Sequence, residues 1–154
     1  LYLTAPVVKK GKIAIDVQVK EGLIIKANSN QIKQVLINII MNGIESMEKK
    51  LKTISQEENH KLQVTISMWA EEEYVFVSIR DEGMGMSSRD LKRCTDPFFT
   101  TKATGTGLGL ALSKVFTEEN NGELFIESTE MKYTNVLMKF RRYTIGEAQN
   151  TNNR

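Results

Sequence analysis

The sequence predicts an α+β fold, a two-layer sandwich in which a mixed sheet carries its helices on one face. Three observations lead there. Several short segments alternate apolar and polar residues with a period of two, as half-buried strands do. One long segment repeats its apolar residues at helical spacing instead. A second helical segment follows a glycine-rich loop, so the order reads ββ-α-ββ-loop-α-ββ.

The first strand is KIAIDVQV, where Ile13, Ile15, Val17 and Val19 alternate with polar residues. The Glu21-Gly22 pair is a turn signal, and LIIKA (23–27) after it reads as a short second strand paired back on the first. Asn28, Ser29 and Asn30 offer N-caps for a long helix. Its apolar stripe is Ile32, Val35, Leu36, Ile39, Ile40, Gly43, Ile44 and Met47. The polar run KTISQEENHK (52–61) is a loop. LQVTISMWA and YVFVSIRD form an antiparallel pair across an acidic turn, Glu71-Glu72-Glu73. Residues 82–106 are irregular, with a short polar helix near Ser87 to Arg93; loops of this length tend to be functional. A second helix runs from about Gly107 to Glu119, and GELFIES and TNVLMKFRR complete the sheet. Residues 1–143 are expected to form one domain, and 144–154 a polar, disordered tail.

Composition narrows the function classes. The 154 residues are 40% hydrophobic and 26% charged, ordinary values for one globular domain. A net charge of +2, with basic residues spread along the chain, argues against a nucleic-acid partner. The lone Cys94 forms no internal disulfide, which favours a reducing compartment. Cys94 is a poor nucleophile candidate, because the one histidine, His60, lies in a polar stretch with nothing to bring the two together. No apolar run reaches the roughly 18 residues of a membrane span, and no signal peptide opens the chain. Leu1 is not an initiator Met, so a longer parent is expected, acting on the cytoplasmic side, with a membrane anchor elsewhere left open.

Four stretches carry chemistry. TTKATGTGLGLALSK (100–114) sets Gly105, Gly107 and Gly109 against a helix start, beside threonines and Lys102. Glycine lets backbone approach a ligand, and a helix start offers unpaired N–H groups to phosphate oxygens. The plainer alternative is a mobile loop that caps a helix. The spacing matches neither the P-loop nor the dinucleotide fingerprint, since Lys102 lies upstream and a single residue separates Gly107 from Gly109. In the long helix, Asn38 and Asn42 fall one turn apart, on the face where charges are expected, with Glu45 beside them. An amide oxygen is a hard neutral ligand suited to Mg²⁺; two solvated amides are the alternative. YVFVSIRD ends in Asp81, followed by EGMGM. A carboxylate there, with Gly83 and Gly85, offers an acceptor to an adenine amine, although DEG is also a common acidic turn. DPFFTTK (96–102) places adjacent aromatics near a cation, or simply anchors a loop.

Their order is more specific than any one of them. NQIKQVLINIIMNGIESM, RDEGMGM, DPFFTTK and GTGLGLALS resemble the N, G1, F and G2 boxes of sensor histidine kinases, in family order, over roughly residues 1 to 141. The style is most similar to the nitrogen-regulation and sporulation types. The resemblance implies the catalytic and ATP-binding domain of such a kinase, with the Bergerat-type fold of the gyrase–chaperone–kinase ATPase superfamily. ATP and Mg²⁺ are then the expected cofactors. Asn42 would hold the Mg²⁺ and Asn38 would lie by the phosphates, the two forming the catalytic pair. Asp81 would accept from adenine, with Gly83, Gly85 and Met86 shaping the base pocket and Leu110 lining it. Thr134 would support the base site, although Tyr133 stands where a glycine is more usual. Thr101, Lys102, Gly105, Thr106, Gly107, Leu108 and Gly109 would form the lid and its phosphate contacts, anchored by Phe98 and Phe99.

Two departures stand out. Glu45 and Ser46 occupy positions where many members carry a basic residue and an aromatic. The lid is also short, so phosphate neutralisation leans on Mg²⁺, backbone amides and Lys102. The expected partner is an upstream dimerisation and histidine-phosphotransfer domain of a dimeric parent, with a response regulator reached indirectly. His60 lacks the helical context of an acceptor. A superfamily ATPase driving a clamp is the second reading, weakened because Asn38 stands where that class has its catalytic glutamate. A non-catalytic binding module is the third.

Overall fold

The computed structural model describes residues 12–54, 61–103 and 105–144. Within them lie five strands, β1 (Ile13–Val19), β2 (Leu62–Glu71), β3 (Tyr74–Asp81), β4 (Glu123–Thr129) and β5 (Tyr133–Arg141). The helices are α1 (Ser29–Thr53), the short α2 (Ser88–Leu91) and α3 (Gly109–Glu119). The strands form one sheet in the order β1-β2-β3-β5-β4, with β1 parallel to β2 and every other pair antiparallel. The predicted α+β class with a mixed sheet is therefore the observed one. Most of the predicted loop 52–61, including His60, and the tail from 145 lie outside the described residues.

The predicted hairpin of β1 with residues 23–27 is wrong. β1 pairs with β2 instead, in the register Ile13 to Leu62 through Val19 to Met68. Parallel strands cannot be joined by a tight turn, and α1 is the crossover between them. The chain leaves β1 through Gly22, at φ +74°, and 23–27 touches the sheet only through a bridge from Ile25 to Arg142.

α1 begins where the sequence places it. The Asn28 side chain accepts from the amides of Asn30 and Gln31, at 3.0 and 3.3 Å. Asn28 in turn donates its own amide to Asn120 Oδ1, and Asn120 Nδ2 donates to Gln31 Oε1. Asn120 caps the C-terminus of α3. Further along, Asn38 Nδ2 reaches the Gly109 carbonyl at 3.5 Å. The two helices therefore run antiparallel, with the start of α3 beside the middle of α1.

The α1 stripe buries Val35, Leu36, Ile39, Ile40, Ile44 and Met47 against Val64 and Ile66 of β2, Val77 and Ile79 of β3, and Val136, Met138 and Phe140 of β5. Each such side chain contributes roughly 1.5–3 kcal/mol when fully buried. The β3 row continues in the same phase to Asp81, which is only 8% exposed. Opposite it on α1 stands Gly43, where a Cβ would lie 2.9 Å from Asp81 Cβ. Helix and strand approach too closely there for any side chain. Gly43→Ala should therefore lower stability by about 1–3 kcal/mol through overpacking, although alanine is the better helix former. Chemical denaturation measures this, and a more stable variant would show that the gap is real space.

Candidate active site

The site begins at Asp81, the polar end of an otherwise apolar row. Its Oδ1 accepts from the Gly83 amide at 2.9 Å. Burial pushes its carboxyl above the usual carboxylate range, offset in part by that hydrogen bond and by the charges of Lys50 and Arg80. Two further bonds pin the turn after it. The Met84 amide donates to Ser46 Oγ and the Met86 amide to Ser128 Oγ, both at 2.9 Å. Thr134 is the cross-strand partner of Asp81, and its hydroxyl lies 3.1 Å from Ser128 Oγ. Asp81 thus sits in a frame whose donors and acceptors are already paired.

The facing wall is the start of α3 and the loop before it. Among the described residues no side chain caps α3 at Leu108, so its first amides can serve an outside acceptor. Gly107 has φ +68°, and a Cβ there would lie 2.4 Å from the Phe98 carbonyl carbon. The Phe98 amide donates to the Gly107 carbonyl at 3.0 Å. The Phe98 ring itself is 76% exposed, so it does not anchor the loop as expected; the backbone pair with Gly107 does. Phe99 turns inward and carries the Arg93 guanidinium 4.5 Å from its ring centre.

Between the walls lies a cavity of about 430 Å³. It brings together Asn42, Asp81, Gly85, Met86, Thr101, Lys102, Gly105, Thr106, Gly107, Gly109, Leu110 and Thr134. Three expected residues do not line it. Asn38 is engaged with Gly109 and accepts from Gln34 Nε2 at 2.9 Å. Gly83 lies behind Asp81, and Leu108 is the N-terminal boundary of α3. The cavity also includes Asp90 and Cys94, neither of which was among the predicted site residues. Cys94 Sγ donates to the Leu91 carbonyl, and burial pushes its thiol up. No motif marks either residue. Ser46 registers in the sequence only as a missing aromatic; its work is to hold the Met84 amide.

The Lys102 ammonium crosses from the loop to α1, donating to Asn42 Oδ1 at 2.8 Å and to Glu45 Oε2. Two hard oxygens from one helix face thus already share a cation. That donor set fits a divalent ion of the Mg²⁺ type, which takes oxygen ligands and keeps waters for the rest of its shell.

Asp81 generates a prediction about stability. Its raised folded value means the folded state holds this proton more tightly than the unfolded chain does. The stabilising contribution is complete below the ordinary carboxylate range and is lost as pH rises through the elevated folded value. Asp81→Asn keeps the oxygen that accepts from Gly83 and removes the charge. It should raise the melting temperature at neutral pH and remove this part of the pH slope. A lower melting temperature at pH 7 would contradict the burial argument.

Against known proteins, residues 27–144 match the family model described as histidine kinase-, DNA gyrase B-, and HSP90-like ATPase. Sporulation kinase E of Bacillus subtilis is 44% identical over 105 residues, covering 68% of this chain and 13% of that protein. Sporulation kinase C of the same organism is 42% identical over 118 residues, covering 75% of this chain and 25% of its own length. The chain thus spans a quarter or less of these relatives. Among solved structures, a nucleotide free form of the catalytic domain of histidine kinase ThkA has a TM-score of 0.69 at 26% identity, with 85% of this chain and 80% of that one covered.

Proposed function

The chain belongs to the histidine kinase-, DNA gyrase B-, and HSP90-like ATPase family, and from that premise we propose that it binds Mg-ATP and donates the γ-phosphoryl group to a histidine on a separate domain of its parent kinase. The observation that carries this reading is one cavity holding both a buried acceptor, Asp81, and an oxygen-and-ammonium cluster, Asn42 with Lys102, beside the open amides of α3. Adjacent residues of α1 join the two, since Gly43 abuts Asp81 while Asn42 faces Gly109.

In this reading Asp81 accepts from the exocyclic amine of adenine. Thr134, Gly85 and Met86 border the base, and Leu110 covers it. Asn42 holds the metal, which neutralises phosphate charge when bound. The amides at the start of α3 and the Lys102 ammonium orient the triphosphate. Phosphoryl transfer depends mostly on such positioning and charge stabilisation. The attacking nitrogen comes from a dimerisation and phosphotransfer domain in a dimeric parent, and a response regulator takes the phosphoryl group afterwards. The domain acts on the cytoplasmic side. Among the described residues no helix is long and apolar enough to cross a membrane. Clamp-type hydrolysis is disfavoured: a carboxamide, Asn38, occupies the position of the water-activating glutamate, and it is already engaged with Gln34 and Gly109.

The test is nucleotide titration with and without Mg²⁺. The wild type should bind ATP and discriminate against GTP, which presents a carbonyl where adenine presents its amine. Asp81→Asn should weaken ATP roughly 10- to 200-fold, since a hydrogen bond to a charged group is worth about 1.5–3 kcal/mol. Equal affinity for ATP and GTP removes Asp81 from the base site. Asn42→Ala should weaken Mg-ATP far more than metal-free ATP; an unchanged Mg²⁺ dependence places the ion elsewhere.

A second measurement addresses transfer. With radiolabelled ATP the chain alone should stay unlabelled, and the added helical domain of its parent should become labelled. The reaction should be slow, because tethering normally supplies effective concentrations in the millimolar range. The label should be acid-labile and base-stable, as a phosphoramidate is. Strong labelling of the chain alone, abolished by His60→Gln, would place the acceptor within it.

A further inference from the structure

α1 presents Asn42 and Glu45 three residues apart, hence on one face. Both side-chain oxygens converge on one cation, the ammonium of Lys102. The backbone of Lys102 is itself fixed, since its amide donates to Thr100 Oγ1 at 3.1 Å and its carbonyl accepts from the Gly105 amide at 3.3 Å. The ammonium therefore ties the loop to α1. We propose that Glu45 is a second protein oxygen of the divalent-cation site centred on Asn42, and that Lys102 fills this site with its own ammonium until metal and nucleotide displace it.

Charge balance argues for the exchange. A carboxylate beside a triphosphate repels it unless a cation lies between them. In the structure Lys102 supplies that cation, with one positive charge against one negative. A triphosphate adds several negative charges, which one ammonium cannot offset. A divalent ion on Asn42 and Glu45 answers more of that charge and releases Lys102 to the phosphate oxygens. The acidic residue in the helix and the basic residue in the loop are thus complementary: the positive charge stands on the loop, facing Glu45 on the helix. Closure of the loop then precedes nucleotide binding, and metal entry is what loosens it.

This inference rests on reading Asn42 as the metal ligand, and its test is separable from that reading. Mn²⁺ alone, without nucleotide, is titrated into the 154-residue chain and followed by water-proton relaxation. Lys102→Met should bind Mn²⁺ about tenfold more tightly than wild type, because the competing ammonium is gone. Adding Glu45→Gln to that variant should cancel the gain. In the nucleotide-free chain, the amides of Thr101 to Ala103 should exchange several-fold faster in both Glu45→Gln and Lys102→Met, with no further increase in the double variant. Equal Mn²⁺ affinity in wild type and Lys102→Met would overturn the proposal, and so would a gain that survives Glu45→Gln. If Asn42→Ala still weakens Mg-ATP while the Mn²⁺ result is flat, only the exchange fails. If Asn42→Ala leaves Mg-ATP untouched, the ligand reading fails with it.

Discussion

The close contact between Gly43 and Asp81 is the constraint on which the rest depends. A carboxylate is buried at the end of an apolar strand row because a helix without a side chain closes over it. Burial raises the cost of its charge, and the Gly83 amide offsets only part of that cost. The same contact sets the depth of the cleft. Were α1 to stand further off, Asn42 and Ser46, which flank Gly43 on the helix, would lose their places over the sheet. The Met84 amide would then lose its acceptor, and the turn after β3 would lose one of its ties. Stability is given up at one residue so that a strong acceptor faces the cavity in a fixed direction.

The opposite wall is built by a different rule. There the backbone does most of the holding. Gly107 and Phe98 pair main chain to main chain, which leaves the Phe98 ring outside and turns the Phe99 ring inward. Among the described residues no side chain caps the start of α3. One wall is thus tied by side-chain hydrogen bonds, while the other relies on backbone pairing and is fastened to α1 through the charged Lys102 side chain. On the proposed reading this asymmetry suits a site that admits and releases a large polyanion, since recognising a base and gripping phosphates are separate tasks.

Much of this was legible in the sequence, for identifiable reasons. The period-two rows of β2, β3 and β5 and the α1 stripe predicted the sheet and its covered face. The row Val75, Val77, Ile79, Asp81 even carried the information that Asp81 is buried. The four boxes brought most of the cavity residues together by resemblance. What failed was non-local. LIIKA had strand character, yet β1 found a better partner in β2 across a whole helix, and no local pattern reports such a pairing. Phe98 was read as an anchor from its residue type, whereas the fold uses its amide. Asn38 and Asn42 share a helix face by spacing, and the distant partner each meets, Gly109 or Lys102, is set by the fold. Glu45 and Ser46 looked like losses against the family pattern. Their roles emerge only when Lys102 and Met84, distant in sequence, are seen beside them.

The register between β3 and β5 has a consequence for how the molecule assembles. β2 and β3 are joined by a tight turn, and so are β4 and β5, so each hairpin can form from local contacts. Asp81 and Thr134 belong to different hairpins and become neighbours only when the two dock. Everything between them, including the loop with Lys102 and all of α3, is closed into a ring by that one seam. Contacts far apart in sequence form late and slowly. The cleft is therefore absent from either hairpin alone and exists only where the two are docked. A ligand seated in this cleft therefore reports that both hairpins are joined.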